Sequence, residues 1–172
     1  AVRYAQWRSI PPEAPTRLAG IDRDDALALV ARVLARGGGW LHPSEVERLF
    51  ACYGIPLVQQ RVVSGPEEAG DAAQELGGQV VLKAIAPGLV HKTDVGGVAL
   101  ALQGREAVIE EALRMNRRLS DAGYRVEGYL VQAMAPPGTE MIVGVVEDPS
   151  FGPLVACGAG GILAELLGDV SI

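Results

Sequence analysis

Residues 80–100 read VVLKAIAPGLVHKTDVGGVAL and are the most informative stretch of the chain for its fold. A lysine, Lys83, interrupts an apolar strand, and a loop containing glycines separates that strand from a second one. Burying an ammonium group without a partner costs on the order of several kcal/mol, so Lys83 needs an anion, and a phosphate suits it well. Gly96 and Gly97 would allow backbone N–H groups to approach such an anion closely.

Lysine occurs in this chain only within that stretch. Lys83 and Lys92 are its two lysines, whereas the other 13 of its 15 basic residues are arginines. A compact ammonium group provides a point charge that a planar guanidinium cannot replace. Thr93 adds a hydroxyl group beside Lys92. The spacing therefore fits two interpretations equally well: phosphate binding, and a hairpin with a glycine-rich turn whose lysines are solvated.

The composition excludes several classes of protein. The chain has 172 residues, of which 49% are hydrophobic and 21% charged, as in an ordinary globular domain. The formal net charge of -6 argues against a nucleic-acid partner. No apolar run reaches the roughly 18 residues that span a membrane. Cys52 and Cys157 do not suggest a disulfide framework, so we expect free thiols and a cytoplasmic location.

The periodicity of apolar residues predicts the order helix-helix-β-α-β-β-α-β-β-β, a mixed α/β or α+β fold with two small lobes. Residues 1–20 contain three prolines and are typical of a linker. Ser44 and Glu47 have the spacing of a capping box at the start of the second helix. A longer helix is predicted over residues 105–122, with its apolar face formed by Val108, Ala112, Met115 and Leu119.

A second informative segment, VQAMAPPGTEMIVGVVED, covers residues 131–148. It predicts two strands, over 126–134 and 141–147, joined by a loop with two prolines. One interpretation is a simple hairpin; the other is a hinge whose backbone faces an adenine while Glu140 accepts hydrogen bonds from ribose hydroxyls. His91 fits a nucleophile, a phosphate ligand or an ordinary loop residue. The sequence contains none of the usual metal-binding motifs.

Three segments carry a resemblance to a known family: WLHPSEVERLFACYGIPLV (40–58), the stretch 80–100 quoted above, and EGYLVQAMAPPGTEMIVGVVEDPSFGPLVACGAGGILAELLGDV (127–170). Over about residues 22–172 the chain resembles the ATP-grasp domain of ADP-forming (NDP-forming) acyl-CoA synthetases, relatives of the succinyl-CoA synthetase β-subunit. HKTDVGGV and GTEMIVGV together make this resemblance specific. It implies an α/β (α+β) ATP-grasp fold that stops before the C-terminal metal-binding strands.

The resemblance also implies a division of the chain. Residues 1–20 would be a linker or the end of a preceding CoA-ligase domain, and residues 21–172 an incomplete ATP-grasp domain. Within that domain, a small lobe would cover about 57–125 and part of a second lobe 126–172. Because a truncated second lobe leaves an exposed sheet edge, self-association is a further expectation.

The resemblance assigns roles to individual residues. Lys83 would contact the ATP phosphates under a flap formed by residues 91–98, and residues 132–134 would form the adenine hinge. Glu140 would bind the ribose, and His91 lies where some family members are proposed to carry a transient phosphate. The nucleotide-binding residues implied are Lys83, Lys92, Thr93, Gly96, Gly97, Gln132, Ala133, Met134 and Glu140.

The family reaction interconverts acyl-CoA, ADP and phosphate with carboxylate, CoA and ATP through phosphohistidine. ATP or ADP and Mg²⁺ are the implied cofactors, with the Mg²⁺ ligands expected beyond Ile172. CoA-binding and CoA-ligase domains, in the same chain or in a partner subunit, are the implied partners, so the chain alone is expected to be inactive. The alternative is a non-catalytic, synthetase-like regulatory region of a protein lysine acetyltransferase.

Overall fold

A computed structural model of the chain describes residues 19–89, 91–160 and 170–171. The predicted order of elements is confirmed, with one short strand added at the end. The helices are α1 (Arg23–Ala35), α2 (Pro43–Cys52), α3 (Pro66–Leu76) and α4 (Arg105–Asp121). The strands are β1 (Gln60–Val63), β2 (Gln79–Ile85), β3 (Val98–Gln103), β4 (Gly128–Ala133), β5 (Met141–Asp148), β6 (Gly152–Ala159) and β7 (Val170–Ser171).

The first sheet has the strand order β1-β4-β2-β3, and every neighbouring pair is antiparallel. Its core lies between one face of the sheet and helices α3 and α4. The predicted apolar face of α4 is confirmed, because its four residues are 0% exposed. In α3, Gly70 allows close packing, since a Cβ atom there would lie 2.7 Å from Ile109 on α4. Alternate sheet residues complete this core: Val80, Leu82, Ala84, Tyr129 and Val131.

The strand period of two places the intervening residues on the opposite face of this sheet. The register pairs Lys83 on β2 with Leu130 on β4, and Val81 with Gln132. Gln60 on β1 is also paired with Gln132, so the two glutamines share a face. Helices α3 and α4 therefore cover one face only, and Lys83 lies on the other.

Helices α1 and α2 form an antiparallel pair before the sheet. The capping box of α2 is formed by His42 and Glu45, not by the predicted Ser44 and Glu47. The backbone N–H of Ser44 donates to Nδ1 of His42 at 3.4 Å, and Glu45 accepts from the backbone N–H of His42 at 2.9 Å. The prediction was wrong because Pro43 takes the first helical position, so the N-cap is His42, two residues earlier than Ser44.

Residues 135–172 form a second compact unit, in which β5, β6 and β7 make an antiparallel sheet. The hairpin interpretation of residues 126–147 is wrong, since β4 and β5 belong to different sheets. The first compact unit extends to Met134, beyond the predicted end of the small lobe at residue 125, because β4 pairs with β1 and β2. Within the described ranges, no helix is long and apolar enough to cross a membrane.

Candidate functional site

Lys83 lies half-buried near the middle of the sheet face that α3 and α4 leave uncovered. Its neighbours across the strands are Val98 and Leu130. Burial lowers the pKa of the Lys83 ammonium below its ordinary value, and the charge of nearby Lys92 lowers it further. In the part of the chain that the structure describes, no carboxylate lies within 4.0 Å of either lysine. Two ammonium groups with this arrangement form a positively charged site suited to an anion.

The loop between β2 and β3 brings Lys92 towards Lys83. The N–H of Gly97 donates to the carbonyl of Lys92 at 2.6 Å, and the N–H of Gly96 donates to the carbonyl of Thr93 at 3.1 Å. Gly96 has a φ of +68°, and a Cβ atom on Gly97 would lie 3.0 Å from the Lys92 carbonyl oxygen. In this conformation the glycines therefore form a tight turn, and the N–H groups that we predicted would meet the anion donate within the loop.

Sequence reasoning missed a residue that holds this loop. Nη2 of Arg118, on α4, donates to the carbonyl of Gly96 at 2.5 Å and to Oε1 of Glu111 at 3.3 Å. A side chain on Gly96 would collide with the Arg118 guanidinium group. At the other end of the loop, Leu89 is 6% exposed and belongs to the core. No sequence signal indicates the Arg118 contact, because an arginine on the polar face of a helix is usually solvated.

A cavity of about 640 Å³ opens in the first unit, beside the sheet face that carries Lys83. Gln60, Leu130 and Gln132 line it from the sheet, and Lys92 lines it from the loop. Trp40 and His42 line it from the segment before α2. This volume lies within the range of small-molecule sites, and the lining combines apolar side chains with a few polar groups. The predicted hinge residue Gln132 and the predicted loop residue Lys92 thus border one cavity.

The other hinge residues take part in the sheet. The N–H of Ala133 donates to the carbonyl of Gln59 at 2.9 Å, and that of Met134 donates to the carbonyl of Gln79 at 3.0 Å. Met134 is 39% exposed at the end of the first unit. Sequence reasoning also missed Gln60, whose side-chain oxygen accepts from Nε2 of Gln132 at 2.7 Å. A cross-strand pair of this kind depends on the register, which a single sequence does not reveal.

The remaining predicted residues are exposed. His91 and Thr93 lie on the surface of the loop after β2. Glu140 belongs to the second unit, where its carbonyl accepts from the N–H of Gly160 at 2.8 Å. Across the described ranges, no group of three or more His, Cys, Asp or Glu side chains is arranged to hold a metal ion. The described residues therefore do not fit a Mg²⁺ site.

Comparison with known protein families finds one match that covers most of the chain. The model of the ATP-grasp domain matches residues 32–172. This match covers the first compact unit from residue 32 onwards, the whole second unit, and the loop that carries Lys92. The ATP-grasp fold expected from the sequence is thereby confirmed.

Individual relatives agree with this match. The chain is 38% identical over 154 residues to acetate–CoA ligase (ADP-forming) I of Archaeoglobus fulgidus, covering 88% of this chain and 22% of the relative. It is 37% identical over 129 residues to the β-subunit of acetate–CoA ligase (ADP-forming) I of Pyrococcus furiosus, covering 74% of this chain and 56% of the relative. Both relatives are therefore considerably longer than the region they share with this chain.

One solved structure extends the comparison to three dimensions. It is the dinucleotide-forming acetyl-coenzyme A synthetase 1 of Ca. Korarchaeum cryptofilum, in complex with coenzyme A, Ca-AMPCP and HgCl+. The TM-score is 0.77 at 38% identity, and the match covers 85% of this chain and 65% of the synthetase chain. At this identity the likeness extends beyond the fold to the sequence.

Proposed function

Because this chain belongs to the ATP-grasp domain family, we propose that it is the nucleotide-binding part of an ADP-forming acyl-CoA synthetase. The whole enzyme would convert acyl-CoA, ADP and phosphate into carboxylate, CoA and ATP through phosphohistidine. Both curated relatives described above are ADP-forming acetate–CoA ligases, which supports this reaction class. They lend no support to the alternative, a regulatory region of a lysine acetyltransferase.

The observation that carries this proposal is the pair of neighbouring lysines, Lys83 on the open sheet face and Lys92 in the lining of the cavity. Lys83 and Lys92 bring two positive charges together, and no carboxylate of the described residues lies within 4.0 Å of either one. The phosphates of ATP or ADP would supply the missing negative charge through charge-assisted hydrogen bonds, which are stronger than neutral ones. Lys83 would contact the phosphates from the sheet, and Lys92 would contact them from the loop.

The other end of the nucleotide would lie towards the end of β4. Gln132 borders the cavity, so we assign residues 132–134 to the adenine hinge. Glu140 would accept hydrogen bonds from the ribose hydroxyls, and Thr93 would donate its hydroxyl to a phosphate oxygen. Gly96 and Gly97 would act through the turn that positions Lys92. His91 is exposed and would be accessible to a phosphoryl group.

The remaining components of the reaction would come from outside the described residues. Divalent-cation binding is supported by the Ca-AMPCP in the synthetase structure. CoA-binding and CoA-ligase domains are the partners we propose, since one relative is a β-subunit and the synthetase structure contains coenzyme A. A cytoplasmic location and self-association stay predictions from the sequence.

Calorimetric titration of the intact protein with ADP and ATP tests this function. Lys83→Ala should weaken nucleotide binding by about tenfold or more, because a charge-assisted contact contributes about 1.5–3 kcal/mol. Lys83→Arg should restore the affinity only in part, since a planar guanidinium does not reproduce the position of the ammonium group. Lys92→Ala should cost less, because Lys92 lies on a loop and not within the sheet.

The matched control is Arg117→Ala, which removes one positive charge from the exposed side of α4. It should leave nucleotide affinity unchanged. Equal affinity in the parent and in Lys83→Ala would remove the phosphate role. Absence of nucleotide binding by the parent protein would overturn the proposed function as a whole.

A further inference from the structure

A hydrogen-bonded chain of three side chains links α2 to the first sheet beside the cavity. Nε2 of Gln60 donates to Oε2 of Glu47 at 3.4 Å, and Nε2 of Gln132 donates to Oε1 of Gln60 at 2.7 Å. Glu47 belongs to α2, Gln60 to β1 and Gln132 to β4. Gln60 and Gln132 both line the cavity. We call these three residues the amide relay.

Glu47 fixes the direction of the amide relay. A carboxylate only accepts hydrogen bonds, so the Gln60 side chain must turn its NH₂ group towards Glu47. Its carbonyl oxygen is then left for Gln132, which must turn its own NH₂ group towards Gln60. Rotating either amide by half a turn would bring two acceptors or two donors together. The Gln132 carbonyl oxygen consequently lies on the side away from Gln60.

Burial makes this direction costly to reverse. Gln60 is 8% exposed, and a buried amide that loses its partner pays the full cost of desolvation. Gln132 is half-buried at the edge of the cavity. Glu47 is exposed on α2, and through Gln60 it sets the orientation of the Gln132 amide, a residue that lines the cavity.

We propose that the amide relay selects the nucleobase, with Gln132 Oε1 accepting a hydrogen bond from a 6-amino purine and disfavouring a 6-oxo purine. The proposal rests on the proposed function, because it requires a nucleotide in the cavity. An exocyclic amine donates to this oxygen, whereas a 6-oxo group would place two acceptors against each other. A site built for one hydrogen bond rejects the ligand that lacks it, because the buried polar group is left without a partner. Glu47 and Gln60 act as positioning residues.

The test compares the dissociation constants of ADP and inosine diphosphate for the intact protein. The two ligands differ at the 6-position of the base and have the same ribose and phosphates. The parent should bind ADP about tenfold more tightly than inosine diphosphate, as one hydrogen bond allows. Glu47→Lys replaces an acceptor by a donor, so both amides should turn over and the ratio should fall below one. Glu47→Gln accepts either direction, so the ratio should move towards one.

The control variant is Glu106→Lys, which makes the same charge change at an exposed position on α4. Its ADP to inosine diphosphate ratio should equal that of the parent. If Glu47→Lys does not fold, judged by circular dichroism, Glu47→Gln alone tests the relay. A ratio that stays at the parent value in both Glu47 variants would overturn the proposal while leaving the proposed function intact. A parent that binds neither nucleotide would overturn the proposed function first.

Discussion

The two faces of the first sheet differ in what they bury, although the same strands form both. On one face, Val80, Leu82 and Ala84 are fully buried against α3 and α4. On the other face, the intervening Lys83 lies near a second lysine, Lys92, and is paired across the strands with Leu130; Lys92 and Leu130 both line the cavity. Neighbouring residues of a strand point to opposite faces. In β2, residues that stabilise the core therefore alternate with residues on the face proposed to bind the nucleotide. Substitutions at adjacent positions of β2 should therefore have different consequences.

The largest effect is expected at Leu82, on the helix-covered face. Leu82→Ala should lower the free energy of unfolding by about 2–5 kcal/mol, because it leaves a cavity in a close-packed core. Leu130→Ala removes the same atoms from β4 on the opposite face, beside the existing cavity, and should cost less. Urea denaturation of the intact protein measures both. Equal losses for the two variants would contradict the division between the faces.

A smaller effect, on nucleotide affinity, is expected at Arg118, because this residue of α4 holds the loop that carries Lys92. Arg118→Ala removes the α4 contact to Gly96 and should weaken ADP binding by roughly threefold to tenfold. It should also accelerate amide hydrogen exchange in the loop over residues 92–97. The matched control is Arg114→Ala, since Arg114 binds the same Glu111 but makes no described contact with the loop. Loop exchange that is equally fast in both variants would contradict a positioning role for Arg118.

Local patterns accounted for most of the fold. The spacing of Val108, Ala112, Met115 and Leu119 identified the buried face of α4, because helix periodicity reports burial directly. The glycine-rich loop between two apolar runs identified the β2–β3 hairpin. Non-local pairing was harder to predict. The hairpin interpretation of β4 and β5 failed because the choice of strand partner depends on the whole sheet.

The site was only partly predictable for the same reason. Lys83 was conspicuous because a charged residue inside an apolar strand is unusual. The N–H groups of Gly96 and Gly97 were predicted to approach an anion, but in the structure they donate to carbonyl groups of the same loop. Gln60 and Arg118 act through contacts with residues 72 and 22 positions away in the sequence, and no local pattern encodes such contacts.

The most direct measurement is proton uptake when ADP binds to the intact protein. In the free protein, burial and Lys92 hold the pKa of Lys83 below its ordinary value of 10.5. A bound phosphate would favour the charged lysine and raise this pKa, so between the free and bound values binding takes up a proton. Affinity should accordingly fall as the pH rises through the pKa of the free protein.

Calorimetry at alkaline pH, in buffers of different ionisation enthalpy, counts the protons taken up. The parent should take up protons on binding ADP, and Lys83→Met should lose most of that uptake together with affinity. Lys92→Met should retain most of the uptake. Binding of ADP with no proton uptake by the parent, or with equal uptake by Lys83→Met, would contradict contact between Lys83 and the nucleotide phosphates.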